Sequence, residues 1–194
     1  MLKKLNDKFH HDAYTKFKED VRSLGWGSQN SQRLRFRVMK EIGIKSGDSV
    51  LDVGCGFGDF YSYLIDLGID TKYCGIDINQ DFINCGIKKI KDNIELIHGD
   101  LDKVKNRKFD WSVASGIFSF DCFGWDEEVE QTIQKMFELS NKGVSINFLS
   151  KRSPHELKTG FRYACPSDFS KNPTSKFIVR HDYKDNDFTL YFYK

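Results

Sequence analysis

The sequence predicts an α/β fold: a mostly parallel, seven-stranded sheet with helices on both faces and a C-terminal antiparallel hairpin. Short apolar runs alternate with segments in which apolar residues recur at helical spacing, as in parallel strands joined by crossover helices. The first of these runs ends in a glycine-rich turn. The last two runs are β-rich and are joined by the polar link 181–187, which indicates a hairpin.

Length and composition indicate one globular domain over residues 1–194. A chain of this size can bury a sizeable core, and 39% hydrophobic with 30% charged residues is ordinary for a soluble domain. The formal net charge of +2 gives no strong electrostatic case for a nucleic-acid or membrane partner. No apolar run approaches membrane-spanning length, and five scattered cysteines without a C-x-x-C pair favour reduced thiols. We therefore expect a cytoplasmic protein, monomeric or homodimeric, with neither a membrane partner nor a metal site.

Residues 1–30 precede the first strand and combine charged side chains with spaced aromatic ones. They contain Gly25-Trp26-Gly27-Ser28, where glycines on both sides of a tryptophan indicate a turn that carries a large flat side chain. Trp26 is either a plug at the edge of the core or part of a lid over a ligand. Asn30 or Ser31 is expected to cap the helix that follows.

The central stretch, residues 49–59, starts as a buried apolar strand and continues as a turn with glycines at alternate positions. These glycines are Gly54, Gly56 and Gly58. Phe60, Leu64 and Leu67 follow at helical spacing, so a strand, a glycine turn and a helix succeed one another. Glycines leave no Cβ between the peptide groups and a ligand, and the N–H groups that open a helix favour an anionic ligand group. The pattern predicts a nucleotide-like ligand.

The spacing of these glycines distinguishes the turn from two common nucleotide-binding loops. The dinucleotide fingerprint G-x-G-x-x-G needs a glycine where this chain has Asp59. The phosphate-cradling G-x-x-x-x-G-K-[ST] loop is absent as well. The sequence therefore argues against a nicotinamide dehydrogenase, which is the rival expected to share this fold.

A second strand is predicted over residues 73–79 and contains an acid near its end. Asp77 follows Gly54 by 23 residues, close to the spacing at which a carboxylate meets the ribose hydroxyls of a bound nucleotide. A carboxylate can accept the protons of both hydroxyls at once. Asp77 is therefore the predicted ribose ligand, and Ile78 directly after it belongs to the same candidate site.

A helix capped by Asp81, with Ile83, Ile87 and Ile90 on its inner face, is expected to lead into a third strand over residues 94–98. That strand runs into an acid at position 100.

Residues 109–118 predict the fourth strand and the loop after it, which contains Ser115-Gly116-Ile117. Ligands in such sheets bind beyond the carboxyl ends of the strands, near the point where the strand order reverses. This loop is therefore expected to line the ligand, and Ser115 and Gly116 belong to the candidate site. The fifth strand is predicted over 144–149, after a helix that residues 141–143 close.

The run Leu51-Asp52-Val53-Gly54-Cys55-Gly56-Phe57-Gly58 resembles motif I of the class I S-adenosylmethionine-dependent methyltransferases. The similarity extends over roughly residues 30–194, because that family also ends in a hairpin whose last strand inserts in reverse. It implies a Rossmann-like fold and S-adenosylmethionine as the cofactor. In that family the glycine turn passes under the methionine part of the cofactor, and the acid corresponding to Asp52 helps to hold it. An acid at the position of Asp100 accepts a hydrogen bond from the adenine amino group.

The residues and the resemblance together predict a cofactor site at the ends of successive strands. Arg35 is included because a forked guanidinium suits the planar methionine carboxylate, the alternative being a plain surface arginine. Trp26 is included because methyltransferases of this kind often cover the cofactor with the segment before the first strand, here residues 1–30. The predicted site comprises Trp26, Arg35, Asp52, Gly54, Cys55, Gly56, Gly58, Asp77, Ile78, Asp100, Leu101, Ser115 and Gly116.

No side chain stands out as a catalytic group. Methyl transfer from a sulfonium needs mainly position, orientation and a dry site, with a general base only for a hydroxyl or a protonated amine. The [DN]-P-P-[YFW] loop typical of base amino-group methylases is replaced by Ser115-Gly116-Ile117-Phe118. Cys165-Pro166 reverses the Pro-Cys order of cytosine-ring methylases. These absences and the near-neutral charge favour a small-molecule acceptor.

Two alternatives stay open. Lysines between residues 88 and 108 form a local basic region, so the acceptor is alternatively RNA or protein, although a solvated face explains these lysines as well. The lack of a recognisable catalytic side chain also leaves a non-catalytic S-adenosylmethionine-binding protein. Residues 151–175 contain all three prolines, and we expect this loop to form a second wall of the acceptor pocket, with Phe161, Arg162 and Tyr163.

Overall fold

A computed structural model describes residues 2–92, 94–154, 157–169 and 173–194. Five α-helices lie in these ranges: α1 Leu2–Phe17, α2 Gln29–Lys40, α3 Asp59–Asp66, α4 Gln80–Lys89 and α5 Trp125–Leu139. The strands are β1 Ser49–Val53, β2 Lys72–Asp77, β3 Glu95–His98, β4 Phe109–Ala114, β5 Ser140–Leu149, β6 Phe177–Arg180 and β7 Asp187–Tyr193. Each of the seven predicted strands is present.

The strands form one sheet in the order β3-β2-β1-β4-β5-β7-β6. The first five strands of the chain pair in parallel, whereas β7 is antiparallel to both β5 and β6. This topology confirms the predicted fold class, including the C-terminal antiparallel hairpin. The strand order reverses between β1 and β4, so a crevice for a ligand is expected beyond their carboxyl ends.

Apolar side chains of the central strands alternate between two cores, one on each face of the sheet. Leu51 of β1 belongs to the core that also contains Val129 and Ile133 of α5. Val50 belongs to the core that contains Phe36 of α2 and Phe60 of α3. Helices therefore cover both faces, and the alternation places position 52 on the same face as position 50.

The helix predicted after residue 30 begins earlier than the sequence indicated. Ser28 is the N-cap of α2, with extended backbone angles of φ −164° and ψ 160°, and its hydroxyl oxygen accepts a hydrogen bond from the Ser31 N–H at 3.2 Å. Ser28 rather than Asn30 or Ser31 caps the helix because it is the serine that keeps an extended backbone. In α4, Ile87 was expected on the inner face but is 58% exposed.

β5 also begins earlier than expected, at Ser140 directly after α5. Residues 141–143, predicted to close the helix, are strand because partners lie on both sides of them. Ser140 pairs with Phe109 of β4, and Gly143 pairs with Trp111 of β4 and Tyr193 of β7. The Ser140 hydroxyl donates to the Met136 carbonyl oxygen at 2.7 Å, which ends the helix.

The segment before β1 lies against the loops at the carboxyl edge of the sheet. The Phe9 ring of α1 is 4.8 Å from the Phe120 ring, and the His10 ring is 5.4 Å from the Phe82 ring of α4. A 3-10 helix, Val21–Leu24, connects α1 to the turn that carries Trp26. Among the described residues, no helix is both long enough and apolar enough to cross a membrane.

Candidate functional site

A cavity of about 500 Å³ opens beyond the carboxyl ends of the central strands, in the size range of small-ligand sites. All of the predicted site residues line it except Gly58. Gly58 is instead the N-cap of α3, with a φ of 77°. A Cβ there would lie 2.6 Å from Cδ1 of Ile90, so this glycine makes room for protein packing.

The glycine turn after β1 requires residues without a side chain. Gly54 and Gly56 have φ values of 75° and 57°, in the left-handed region that favours glycine. A Cβ on Gly54 would collide with Ile117, and a Cβ on Gly56 would lie 2.8 Å from Cδ2 of Leu24. Both positions line the cavity, and they require glycine for the backbone conformation and for the close packing of Ile117 and Leu24.

Asp77, at the end of β2, fixes this turn and faces the cavity. Its carboxylate accepts hydrogen bonds from the Gly56 N–H at 2.9 Å and the Asn79 N–H at 2.8 Å, one on each oxygen. Burial raises the pKa of Asp77, and the two N–H donors oppose that rise. Each oxygen can accept a further hydrogen bond, so the side chain is suited to a ligand with two neighbouring hydroxyls.

Asp52 is a second buried carboxyl group in the cavity wall. The Tyr73 hydroxyl on the neighbouring strand donates a hydrogen bond to it. Burial raises the pKa of Asp52 to about 7, with smaller contributions from the negative charges of Asp77 and Asp59. Near neutral pH the group is therefore divided between its protonated and charged forms, and a cationic ligand group beside it favours the carboxylate.

We expect the contribution of Asp52 to the free energy of unfolding to decrease as the pH rises from about 4 to about 7, because the native state binds the Asp52 proton more tightly than the unfolded chain does. This contribution is complete below the ordinary pKa of 3.8 and is lost as the pH passes about 7. Its slope reaches about 1.4 kcal/mol per pH unit. Asp52→Asn keeps an oxygen for Tyr73 but does not titrate, so urea unfolding of both proteins across this range isolates the effect. Parallel pH profiles for the two proteins would show that Asp52 has no raised pKa.

Asp100 and Leu101 border the cavity at the end of β3. The Asp100 carboxylate accepts a hydrogen bond from the Asp102 N–H at 3.1 Å and thereby caps the 3-10 helix Leu101–Val104. Leu101 is buried beneath it. The Ser115 hydroxyl, after β4, is buried and has no hydrogen-bond partner among the described residues.

A buried polar network lies between the cavity and the C-terminal hairpin. Arg35 forms a two-pronged ion pair with Asp187, through Nε at 3.0 Å and through Nη2, while its Nη1 donates to Ser31. Asn147 Nδ2 donates to Asp187 at 3.1 Å, and Asn147 Oδ1 accepts the Gly116 N–H at 3.0 Å. Arg35 thus borders the cavity with most of its donors used, and its contact with a ligand carboxylate stays a prediction.

Trp26 lies between this network and the loop after β4. The Arg35 guanidinium carbon is 4.8 Å from the centre of the indole. The indole also lies close to Gly116, where a Cβ would be 3.3 Å from its ring atoms. The half-buried tryptophan forms part of the cavity wall and contacts the Arg35 cation and the backbone of Gly116.

The loop predicted as an acceptor wall contributes two of its three highlighted side chains. Phe161 and Tyr163 line the cavity. Arg162 does not: it forms ion pairs with Asp121 at 3.4 Å and Asp126 at 3.1 Å and tethers this loop to the start of α5. Within the described ranges, no group of three His, Cys, Asp or Glu side chains could hold a metal ion.

Residues 50–143 match the family of methyltransferase domains. Rv1506c of Mycobacterium tuberculosis (strain ATCC 25618 / H37Rv), a protein named as a methyltransferase, is 30% identical over 151 residues, which are 73% of this chain and 90% of that protein.

The chain belongs to the methyltransferase family.

The fold of this methyltransferase agrees with that assignment. The magnesium protoporphyrin IX methyltransferase of Synechocystis PCC 6803, solved with bound SAM, superposes with a TM-score of 0.72 at 16% identity over 100% of this chain and 97% of that one. A SAM-dependent methyltransferase from Archaeoglobus fulgidus superposes with a TM-score of 0.67 at 16% identity, over 93% and 99% of the two chains. The family and fold predicted from the sequence are therefore confirmed.

Several residues of the cavity wall and of the polar network beside it were not identified from the sequence of this methyltransferase. Phe9 and His10 of α1 line the cavity. The spacing of aromatic residues in the segment 1–30 does not indicate which loop these two side chains contact. Asn147 carried a usable signal, because it is an amide inside the apolar run of β5. Asp187 carried none, since it stands in a polar link that predicts only a turn.

Proposed function

We propose that the protein transfers a methyl group from S-adenosylmethionine to a small molecule. The observation that carries this proposal is the convergence of carboxyl groups from three strand ends and one glycine turn on a single cavity. These carboxyl groups are those of Asp52, Asp77 and Asp100. Membership of the methyltransferase family supports the reaction type, and the similar fold of a methyltransferase solved with bound SAM supports the cofactor.

The residues present fit this cofactor. The two unused acceptor positions of Asp77 suit the ribose hydroxyls, and the carboxyl group of Asp100 suits the adenine amino group. The Asp52 carboxylate, which lines the cavity together with Gly54 and Gly56, suits the ammonium of the methionine part. Because Asp52 is partly protonated at neutral pH, its pairing with this ammonium releases a proton.

When bound, S-adenosylmethionine supplies a methyl group whose bond to sulfur breaks with both electrons left on sulfur, while a lone pair of the acceptor forms the new bond to carbon. The work left to the chain is to orient the two reactants and to exclude water. Trp26, Phe9 and Phe120 provide apolar walls for that purpose.

The placement of the basic region supports a small acceptor over RNA. Most of its lysines lie on α4 and after β3, around the sheet edge farthest from β5 and β7, whereas Lys108 donates to the Glu138 carbonyl oxygen of α5. Lys89 is used in an ion pair with Asp59 at 2.8 Å. The cofactor candidates occupy the ends of β1 to β3, so an acceptor is expected on the opposite side of β4, away from these lysines. One relative of the same fold is named for a small molecule, magnesium protoporphyrin IX.

The expected result of incubation with methyl-labelled S-adenosylmethionine and cell extract is label in the small-molecule fraction, dependent on the protein. Asp77→Asn, which weakens the ribose site, serves as the matched control and should leave that fraction unlabelled. Label in RNA or in protein instead would establish the corresponding alternative acceptor. If the cofactor binds but no fraction gains label, the protein is a non-catalytic S-adenosylmethionine-binding protein.

A further inference from the structure

The cavity continues past the loop after β4, over the carboxyl end of β5 and the turn before β7. This extension is lined by Leu149, Lys158, Phe161, Tyr163, Lys184 and Asn186. The sheet order places it on the side of β4 away from β1, β2 and β3, where the candidate cofactor residues lie. It is therefore the part of the cavity that a cofactor bound at those strand ends leaves for a second reactant.

Charges are segregated between the two ends of the cavity. The acidic lining residues stand at the ends of β1, β2 and β3 and on α5: Asp52, Asp77, Asp100, Asp102 and Glu128. The extension over β5 and β7 contains Lys158 and Lys184, and none of the acidic residues that the structure describes lines it. Neither lysine forms an ion pair with a described residue, in contrast to Lys135, which pairs with Asp102 at 3.4 Å.

The acid behind this extension is already neutralised. Asp187 is fully buried and bonded to Arg35 and Asn147, and it does not line the cavity. Lys184 also attracts the Asp187 carboxylate, but Arg35 is the cation that is paired with this carboxylate. Two lysines therefore line a part of the cavity behind which the carboxylate of Asp187 is already paired, and this favours an anionic ligand group there.

Aromatic rings form the apolar part of the same wall. The Phe161 ring stacks on the Phe120 ring with centroids 5.3 Å apart and planes 28° apart, and Phe120 is 4.8 Å from Phe9. The Tyr163 hydroxyl oxygen accepts the Lys158 N–H at 3.1 Å, which holds one of the two lysines beside these rings. The wall therefore combines flat apolar surface with positive charge.

We propose that the methyl acceptor carries an anionic oxygen group, a carboxylate or a phosphate, bound by Lys158 and Lys184, and an apolar ring that lies against Phe161. The proposal rests on the proposed function, since it assigns the acceptor end of the same cavity. Lys158 and Lys184 select the acceptor and touch neither the ribose nor the adenine positions.

Three probes that share a naphthalene ring and differ in the attached group test whether an anion is required. They are 2-naphthoate, 2-naphthyl phosphate and 2-naphthamide, and each is titrated into the protein saturated with S-adenosylhomocysteine. We expect at least one anion to bind about 10-fold more tightly than the neutral amide, and the tighter of the two anions identifies the group. In the double variant Lys158→Ala/Lys184→Ala the preference should disappear. The control Lys88→Ala/Lys91→Ala removes two exposed lysines outside the cavity and should keep it.

Binding of S-adenosylhomocysteine is measured first in each protein, because it separates this proposal from the proposed function. If the wild-type protein does not bind it, the proposed function itself fails. If it binds but the anions bind no better than the amide, or bind the double variant equally well, the acceptor assignment is overturned alone. Loss of S-adenosylhomocysteine binding in the folded double variant also overturns it, since the lysines would then hold the cofactor.

Discussion

Replacing Asp187 by alanine is expected to lower the free energy of unfolding by about 3–5 kcal/mol. The side chain is fully buried, and its partner Arg35 is 4% exposed. Alanine leaves the Arg35 guanidinium buried without an opposing charge, and it also removes the acceptor of the Asn147 amide. Because an uncompensated buried charge is costly, the loss should far exceed that of a surface ion pair.

Unfolding in guanidinium chloride measures this loss, provided that the m value is the same for both proteins. Asp182→Ala is the matched control, because Asp182 also pairs with an arginine, Arg180, but its side chain is 64% exposed. Its cost should stay below about 1 kcal/mol. The double variant Arg35→Met/Asp187→Leu should recover much of the stability, since it removes both charges. Equal costs for Asp187→Ala and Asp182→Ala would contradict the buried network.

Replacing Asp77 by asparagine is expected to weaken S-adenosylmethionine binding about 100-fold, since hydrogen bonds to a charged group are worth about 1.5–3 kcal/mol each. Asparagine has one acceptor oxygen where the carboxylate has two. It therefore cannot hold the Gly56 and Asn79 N–H groups and also receive two ribose hydroxyls. The glycine turn loses its anchor at the same time as the ligand loses its partner.

Calorimetric titration of both proteins with S-adenosylmethionine tests this expectation, and circular dichroism verifies that the variant is folded. Asp81→Asn provides the control, because Asp81 lies on the following helix, is 48% exposed and does not line the cavity. Its affinity should match that of the wild-type protein. A folded Asp77→Asn protein with wild-type affinity would remove Asp77 from the cofactor site and with it the basis of the proposed function.

The parts of the site that could be predicted are those fixed by position along a single strand. Asp52, Asp77 and the turn at Gly54 each stand at or near the end of a strand, and parallel strands bring their carboxyl ends to one edge of the sheet. Spacing and residue type were therefore sufficient to place them together. The left-handed backbone at Gly54 and Gly56 is also a local property, which the presence of glycine at these positions indicates.

Arg35 illustrates what could not be predicted. Its residue type suits an anion, and the structure indeed provides one, but from Asp187, 152 residues further along the chain. Nothing near either residue indicates that the start of β7 packs against α2. Lys158 and Lys184 likewise come from two separate loops, and only the folding of both loops over the end of β5 brings them to one cavity.

By itself, the sequence determined the family, the parallel sheet with its terminal hairpin, and the carboxylates and glycines expected to meet a cofactor. The tertiary structure alone decided which groups share the buried charge of Arg35, what holds Trp26, and where positive charge borders the second half of the cavity. The physical reason is that strand ends and turn conformations depend on neighbouring residues. Contacts between residues that are distant in the chain depend on how whole segments pack against each other. The residues next to each partner do not indicate that packing.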